Sequence, residues 1–491
     1  MNPRRGNDSC HIDLRLLSNN VATQKSFLTN WNSEDFKQIV EIKSAAKQLP
    51  VSSKQMTDIL WSSIDNNDSK DLDQIEYAES LPNGDVRVVV GIADVDLYVP
   101  KGSPIDLHAA ANTTSLYPGP VIYPMLPDDL SSDLSSLRQD VDRAAIVVDL
   151  MVGLNGTIKS SDIYRATVRN KAKLAYAAVG RWFDGEAERP SKDVNPPGLE
   201  VQLKLQEQES QRFHDARVRT GSLNLYTIEA QPVVVDGKVV DITVIDENPA
   251  RNLIENFMVA ANMTMANFLD TRGTFSLRRI VKSPKRWPRI VELAKEHGYN
   301  LPSEPDGHEL NQFLAKQKIA DPARFPDLSL SIVKLLGRGE YIVVQSGKAH
   351  EGHFGLGIQD YTHSTAPNRR YADLVTQRLV KAIIDGKPSP YTEAELQAIA
   401  QRCTEREDAA NSVERFMRKA AAAVLLADHI GETFDAIVTG VTDGGTFVRL
   451  LKPPAEGRVV QNEHGIDVGD KIRVKLLEVN PMKGFIDLRK V

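Results

Sequence analysis

Residues 429–491 carry the pattern that most restricts the fold. Five short β-forming runs, at 434–441, 446–451, 457–461, 471–479 and 484–488, are separated by Gly444-Gly445, Pro453-Pro454, Gly465 and Gly469-Asp470. Strands this short cannot build a broad sheet. Five of them joined by tight turns fit a small OB barrel, which removes its own edges by closing.

The preceding chain is organised differently. From about residue 51 to 428 it mixes strand and helix patterns without a repeat, so the fold class is α+β. Strand signals fall at 86–90 and 146–152. Residues 253–269 have helical spacing, with Ile254, Phe257, Met258, Ala261 and Met265 on one face, and 371–384 and 393–425 read as further helices. Residues 186–197, rich in Pro and charge, read as a surface loop. Residues 1–50 are expected to form a small helical unit. Ser33-Glu34-Asp35 opens a helix whose apolar face would hold Phe36, Ile39, Val40 and Ala46, interrupted by Lys43. The three units are thus 1–50, 51–428 and 429–491. With 41% apolar residues, 491 residues can bury a large core.

Composition excludes several classes. The two cysteines, Cys10 and Cys403, permit neither a disulfide framework nor a zinc site built mainly from thiolates. Residues 1–20 hold no secretory pattern, and the longest apolar stretch, near 420–427, is too short for a membrane span. A reducing cytoplasm and a monomer are expected. The net charge of −6 does not favour nucleic acid in bulk, but a channel needs only a local basic lining. Two basic stretches could supply one: Arg278, Arg279, Lys282, Lys285, Arg286 and Arg289, and the pair Arg369-Arg370.

The chemistry concentrates in Ile64-Asp-Asn-Asn-Asp-Ser-Lys-Asp-Leu-Asp-Gln74. Asp65, Asp68, Asp71 and Asp73 repel one another unless cations neutralise them. Hard oxygen donors at this density suit Mg²⁺ or Mn²⁺, which keep water positions open for phosphate chemistry. Asp71 and Asp73 differ by two, so on an extended segment they share a face. A solvated turn is the plain alternative for a segment this rich in Asn, Asp and Ser. Calcium is a second: Asp65, Asn67, Ser69 and Glu76 fall at EF-hand positions, but Lys70 stands where the loop needs glycine, and strand rather than helix follows.

The order of several blocks resembles the ribonuclease II/R (RNB) family of processive 3′→5′ exoribonucleases. The blocks are the Asp-rich stretch; Gly91-Ile-Ala-Asp-Val95 with Tyr98-Val99 and Gly102-Ser-Pro-Ile-Asp106; Thr114-Ser-Leu-Tyr117 through Tyr123-Pro-Met-Leu-Pro127 to Leu134-Ser-Ser-Leu137; Leu253-Ile-Glu-Asn-Phe-Met258 with Ala260-Ala-Asn262; and Gly352-His-Phe-Gly-Leu-Gly357 with Tyr361-Thr-His363 and Arg369-Arg-Tyr371. The barrel similarly resembles the S1-motif OB fold that closes such enzymes. No counterpart of the family's amino-terminal cold-shock barrels is expected in the first fifty residues.

The resemblance implies a catalytic domain with a mixed sheet and surrounding helices. It implies that Asp65, Asp71, Asp73 and the residue at Gln74 bind metal, with Asp73 and Arg369 catalytic. Arg369 would meet the scissile phosphate, and Arg370 and His363 flank it on the RNA path. Tyr117 would stack on the terminal bases, Glu255 and Glu414 would lie near the 3′ end, and Phe447 would present its ring to RNA. Several positions depart from the pattern. Gln74 replaces a fourth aspartate, Leu225 stands where some members oppose an aromatic to the stacking tyrosine, and Ser364 and Asn368 replace an aromatic and an aliphatic residue. Gly444 and Val460 occupy places where better nucleic-acid binders carry an aromatic and a histidine. The implied function is hydrolysis of single-stranded RNA to nucleoside 5′-monophosphates with Mg²⁺ or Mn²⁺. Two rivals stand beside it: an inactive RNB-fold RNA-binding protein, and a metal-dependent nuclease preferring DNA, which needs no contact to the ribose 2′-hydroxyl.

Overall fold

The computed structural model describes residues 12–45, 54–235, 238–245, 247–272, 275–322, 324–442 and 444–491. Cys10 and Ala46 lie outside them. Two helices come first, α1 (Leu14–Gln24) and α2 (Ser33–Ala45). Five strands follow: β1 (Lys54–Asp65), β2 (Gln74–Ser80), β3 (Val86–Ala93), β4 (Asp142–Val152) and β5 (Ile158–Ala175), with α3 (Pro104–Asn112) between β3 and β4. They close into a barrel in chain order, with antiparallel neighbours except at the seam, where β5 pairs with β1 in parallel. The expected mixed sheet is therefore a closed one. Its β-branched residues explain the closure, because Val88, Val89 and Val90 are all fully buried and a strand covered on both faces needs apolar side chains throughout. At Gly91 a Cβ would press on Ile75 at 3.0 Å, so neighbouring strands pack there with no room for a side chain.

Helices then wrap the barrel: α4 (Tyr176–Phe183), α5 (Leu199–Arg219), the hairpin β6 (Glu229–Val235) and β7 (Lys238–Ile245), and α6 (Pro249–Asp270). A pair of strands, β8 (Phe275–Ile280) and β9 (Glu340–Gln345), brackets α7 (Trp287–Glu296), α8 (Gly307–Ala320) and α9 (Phe325–Leu336). The expected helices appear as α10 (Tyr371–Ile384) and α11 (Glu393–Leu425). A capping box between Thr392 and Glu395 starts α11. One core joins the barrel to α5, α6, α10 and the first turns of α11.

Helix α11 has 33 residues and spans about 50 Å. Its middle packs on α1, and Ala422 and Ala423 near its end enter the core of the second barrel. That barrel consists of β10 (Thr433–Thr442), β11 (Gly445–Leu450), β12 (Glu456–Gln461), β13 (Lys471–Asn480) and β14 (Phe485–Lys490), closed in the order β10-β11-β12-β14-β13. These are the five runs expected from the sequence.

The expected face of α2 is turned. Phe36 and Val40 are exposed, whereas Asp35, Gln38 and Ile39 are buried. Polar anchoring decides this. Gln38 accepts a hydrogen bond from the Ile105 amide at the start of α3, and Asp35 accepts from the Asn32 amide. An unpaired amide at a buried helix end is costly. Among the described residues no helix is long and apolar enough to cross a membrane.

Candidate active site

The acidic segment bridges β1 and β2 as an extended strap stitched along both edges. Leu72 donates its amide to Ser136 Oγ at 3.0 Å and accepts from the Leu137 amide, while Asp73 accepts from the Ala93 amide. Lys173 ties the preceding turn by donating to the Ser69 carbonyl at 2.6 Å. Leu72 enters the core, so its neighbours Asp71 and Asp73 face the other way. Asp68 lies in the turn, as a turn residue should. Asp65, Asp71, Asp73 and Gln74 all line one cavity of about 780 Å³, together with Tyr117 and Arg369.

A loop 295 residues downstream of Asp73 supplies the opposite wall. The Asn368 amide donates to Asp73 Oδ1 at 3.0 Å, and Arg369 Nε lies 3.8 Å from Asp73 Oδ2. Asp373, buried in the first turn of α10, holds this loop by accepting from the Ala366 amide and from Arg370, both at 2.8 Å. Ser364 donates its amide and hydroxyl to Asn262 Oδ1, and Ser135 donates to Asn368 Oδ1 at 2.6 Å. Ser364 and Asn368, the two positions where the sequence departs from the resemblance, thus both hold the loop by hydrogen bonds. Asn368 Nδ2 has no protein partner and belongs to the cavity wall. Sequence reasoning missed this donor, because nothing local distinguishes a buried asparagine from a loop asparagine.

Electrostatics set the cavity's chemistry. Asp73 is only 3% exposed, and burial pushes its carboxyl up to about 7 despite the attraction of Arg369. Burial also raises Asp71, with the Asp65 charge adding to the effect. Carboxylates crowded and desolvated in this way lack positive charge, which a divalent cation supplies. The donors are all hard oxygens, so the set fits Mg²⁺ or Mn²⁺. Among the described residues no three such side chains close around a common point. Asp73 is turned instead toward the Arg369 guanidinium.

The remaining expected site residues divide by place. Tyr117 is 42% exposed along the cavity, and Glu414 on α11 accepts its amide at 2.9 Å. Glu414 thus holds the tyrosine's backbone. The amide of Ser115 donates to the Arg369 carbonyl, which sets the tyrosine strand beside the arginine. His363 does not line the cavity. Tyr341 Oη and its Nδ1 lie 2.6 Å apart, and burial holds its imidazole well below the usual range and so neutral. Arg370 is bound to Asp373 and likewise stands behind the wall.

Glu255 and Leu225 lie in a different cavity, also about 780 Å³, on the far side of α6. Successive residues turn by about 100° on a helix, so Arg251, Ile254 and Met258 face the aspartates while Asn252, Glu255 and Asn256 face away. The expected opposition of Leu225 to Tyr117 is absent, because Leu225 packs against the apolar cluster of α7, α8 and α9 around Trp287 and Phe313. Phe447 on β11 is 36% exposed on the second barrel. Several members of the basic stretch from Arg278 to Arg289 are engaged within the protein. Arg278 is fully buried and donates to Ser276 and the Ala266 carbonyl, while Arg279, Lys282 and Arg289 pair with Glu407, Glu340 and Glu292.

Comparison with known proteins agrees with this arrangement. The RNB domain model matches residues 53–386, and the model of the RNase II-type exonuclease C-terminal S1 domain matches residues 432–491. Ribonuclease R 1 of Lactococcus lactis is 29% identical over 86% of this chain and 54% of its own length. Ribonuclease R of Thermotoga maritima is 30% identical over 89% of this chain and 64% of its own. The chain thus spans less than two thirds of the length of these curated relatives. The apo form of Mycoplasma genitalium RNase R superposes with a TM-score of 0.87 at 25% identity, covering 98% of this chain and 78% of that one. The same enzyme has been solved with ribose methylated single-stranded RNA, with a TM-score of 0.86 at 24% identity over the same shares. With the RNB model matching well over half of its length, and with the acidic strap and the arginine loop meeting in one cavity, the chain belongs to the RNB family.

Proposed function

We propose that this chain is a 3′→5′ exoribonuclease that draws in single-stranded RNA and hydrolyses it processively to nucleoside 5′-monophosphates. The observation that carries the reading is the convergence of Asp65, Asp71, Asp73 and Arg369 on one cavity from segments far apart in the chain. Relatives named Ribonuclease R, and the RNA complex of the Mycoplasma enzyme, support the substrate class. The units are 1–50, 51–428 as the catalytic domain and 429–491 as the RNA-binding barrel, working as a monomer in the cytoplasm.

Asp65, Asp71, Asp73 and Gln74 would hold the metal, Mg²⁺ or Mn²⁺, which when bound would supply an activated water and stabilisation of a leaving oxygen. Hydrolysis adds water to the terminal phosphorus and breaks its bond to the 3′-oxygen, so the phosphate leaves on the released nucleotide. Arg369 offers its planar fork to the phosphate oxygens as charge develops there. Asn368 Nδ2 is a further donor for an RNA oxygen. Tyr117 stacks on the last bases, with Glu414 fixing its backbone. Arg370 and His363 position the loop from behind, and Glu255 in the second cavity and Phe447 on the barrel contact RNA away from the reacting phosphate.

The test uses the full chain with 5′-labelled RNA and matched DNA, in Mg²⁺ or in EDTA. Shortening of RNA from its 3′ end, with monophosphates released and EDTA blocking the reaction, is expected. RNA bound but never shortened would establish the inactive reading that Gln74 favours. Equal degradation of DNA would overturn the substrate.

Tyr117→Ala should change the length of the final oligonucleotide at complete digestion while lowering the initial rate only modestly. Leu225→Phe should leave that length unchanged, since α6 separates the two side chains. A sequencing-gel ladder reads both. An unaltered limit product in Tyr117→Ala removes the tyrosine from the stacking role.

A further inference from the structure

Residues 116–123 close on themselves beside the aspartates. Leu116 and Tyr123 exchange both backbone hydrogen bonds, at 2.9 and 3.0 Å, as an antiparallel pair. Both side chains are buried in the apolar cluster that joins α1 to α11. The next residues inward on such a pair point to the opposite face. Tyr117 and Ile122 therefore turn together toward the cavity, and both line it. Ile122 is 57% exposed there, more than Tyr117 itself. The turn between them is stiff. Pro118 and Pro120 fix their own φ angles, and Gly119, at φ 101°, sits so near Pro232 on β6 that a Cβ would come within 3.3 Å of it. Glu414 holds the loop from α11 through the Tyr117 amide.

The cavity lining divides in kind. The strap and the arginine loop bring charge, with Asp71, Asp73 and Arg369, whereas the 116–123 loop and α6 bring apolar surface, with Tyr117, Ile122 and Met258. A nucleotide divides in the same way, into an anionic phosphate and a base with an apolar face. Single exposed aliphatic side chains are ordinary on a protein surface. One carried on a braced loop beside an aromatic ring, inside a cleft with charged groups, has the make-up of a ligand contact.

We propose that Ile122 is a base-contacting residue that sets, together with Tyr117, how short an RNA the cavity retains. The inference rests on the exoribonuclease reading above. The side chain packs against a nucleobase at the 3′ end, and it accepts any base because it reads no hydrogen-bonding edge. A loop braced on three sides loses little conformational freedom when RNA arrives. Ile122 thereby offers part of the grip that Leu225, on the far side of α6, does not supply.

Fluorescence anisotropy with a short labelled RNA and the purified full chain in EDTA tests it, beside melting temperatures and the sequencing-gel ladder. Ile122→Ala should weaken the Kd by about tenfold, the effect of losing a branched aliphatic contact. Digestion should stop at a longer oligonucleotide. The melting temperature should stay near wild type, because so exposed a side chain adds little to the fold. A merely structural residue would lower the melting temperature and leave both RNA readouts alone. Ile122→Phe should bind the short RNA at least as tightly as wild type, since a ring stacks on a base. If Ile122→Ala fails to fold, Ile122→Thr, which keeps the β-branch, carries the same expectation. A Kd and a limit product equal to wild type in the folded variants overturn the inference and leave the exoribonuclease reading intact. Wild-type chain that shortens no RNA in Mg²⁺ overturns that reading and this inference together.

Discussion

Asp73→Asn should yield a protein that holds RNA and does not shorten it. The substitution is isosteric, and its Oδ1 can still accept the Asn368 amide, so the arginine loop stays docked. What disappears is the negative charge at the buried centre of the cavity. Removing one member of a catalytic unit costs about 10⁴-fold or more in turnover. RNA binding should be unchanged or tighter, because a charge of the same sign as phosphate has been deleted. Fluorescence anisotropy with labelled RNA, beside a gel assay of digestion, separates the two effects. Turnover comparable to wild type would remove Asp73 from the chemistry.

Stability should move the other way. The fold holds the Asp73 carboxyl at about 7 against an ordinary 3.8. The native state then binds more protons than the unfolded chain between those values, and metal-free wild-type protein loses stability as pH rises from about 4 to 7. Asparagine does not titrate. The melting temperature of Asp73→Asn should therefore exceed that of wild type at pH 8 in EDTA and approach it near pH 4.

Arg369→Lys should lose most activity although its charge is kept. Removing one preorganised donor to developing charge costs about 10²–10³-fold in rate. Lysine offers a point charge where the planar fork grips two oxygens at once. Neighbouring geometry should survive, since the loop hangs on backbone bonds, among them the Arg369 carbonyl to Ser115 and the Arg369 amide to Ala366. The loss should therefore fall on kcat with little change in KM for RNA. Near-normal turnover by the lysine variant would reduce Arg369 to a positioning charge.

Elements with strong local signals were legible from sequence alone. The strands of the second barrel lie between unmistakable turns, and α10 and α11 read as helices over their full length. The acidic strap announced itself by charge density. Features set by distant partners were not legible. Closure of the first barrel depends on β1 meeting β5 about a hundred residues later, and no local pattern encodes that seam. The burial of α2 was misread because Gln38 answers an amide on α3. Leu225 was placed opposite Tyr117 by resemblance, yet the apolar pull of the Trp287 cluster and the bulk of α6 separate them.

The halves of the cavity stand far apart in the order of synthesis. Asn368 and Arg369 emerge from the ribosome almost three hundred residues after Asp73. At about 5–20 residues per second that interval lasts roughly 15–60 seconds. Until it ends, the strap has no arginine opposite it, and the first barrel lacks α10, which completes its core. The cavity therefore stays half built for that whole interval, and it closes only when the arginine loop docks onto a strap that its own strands already hold.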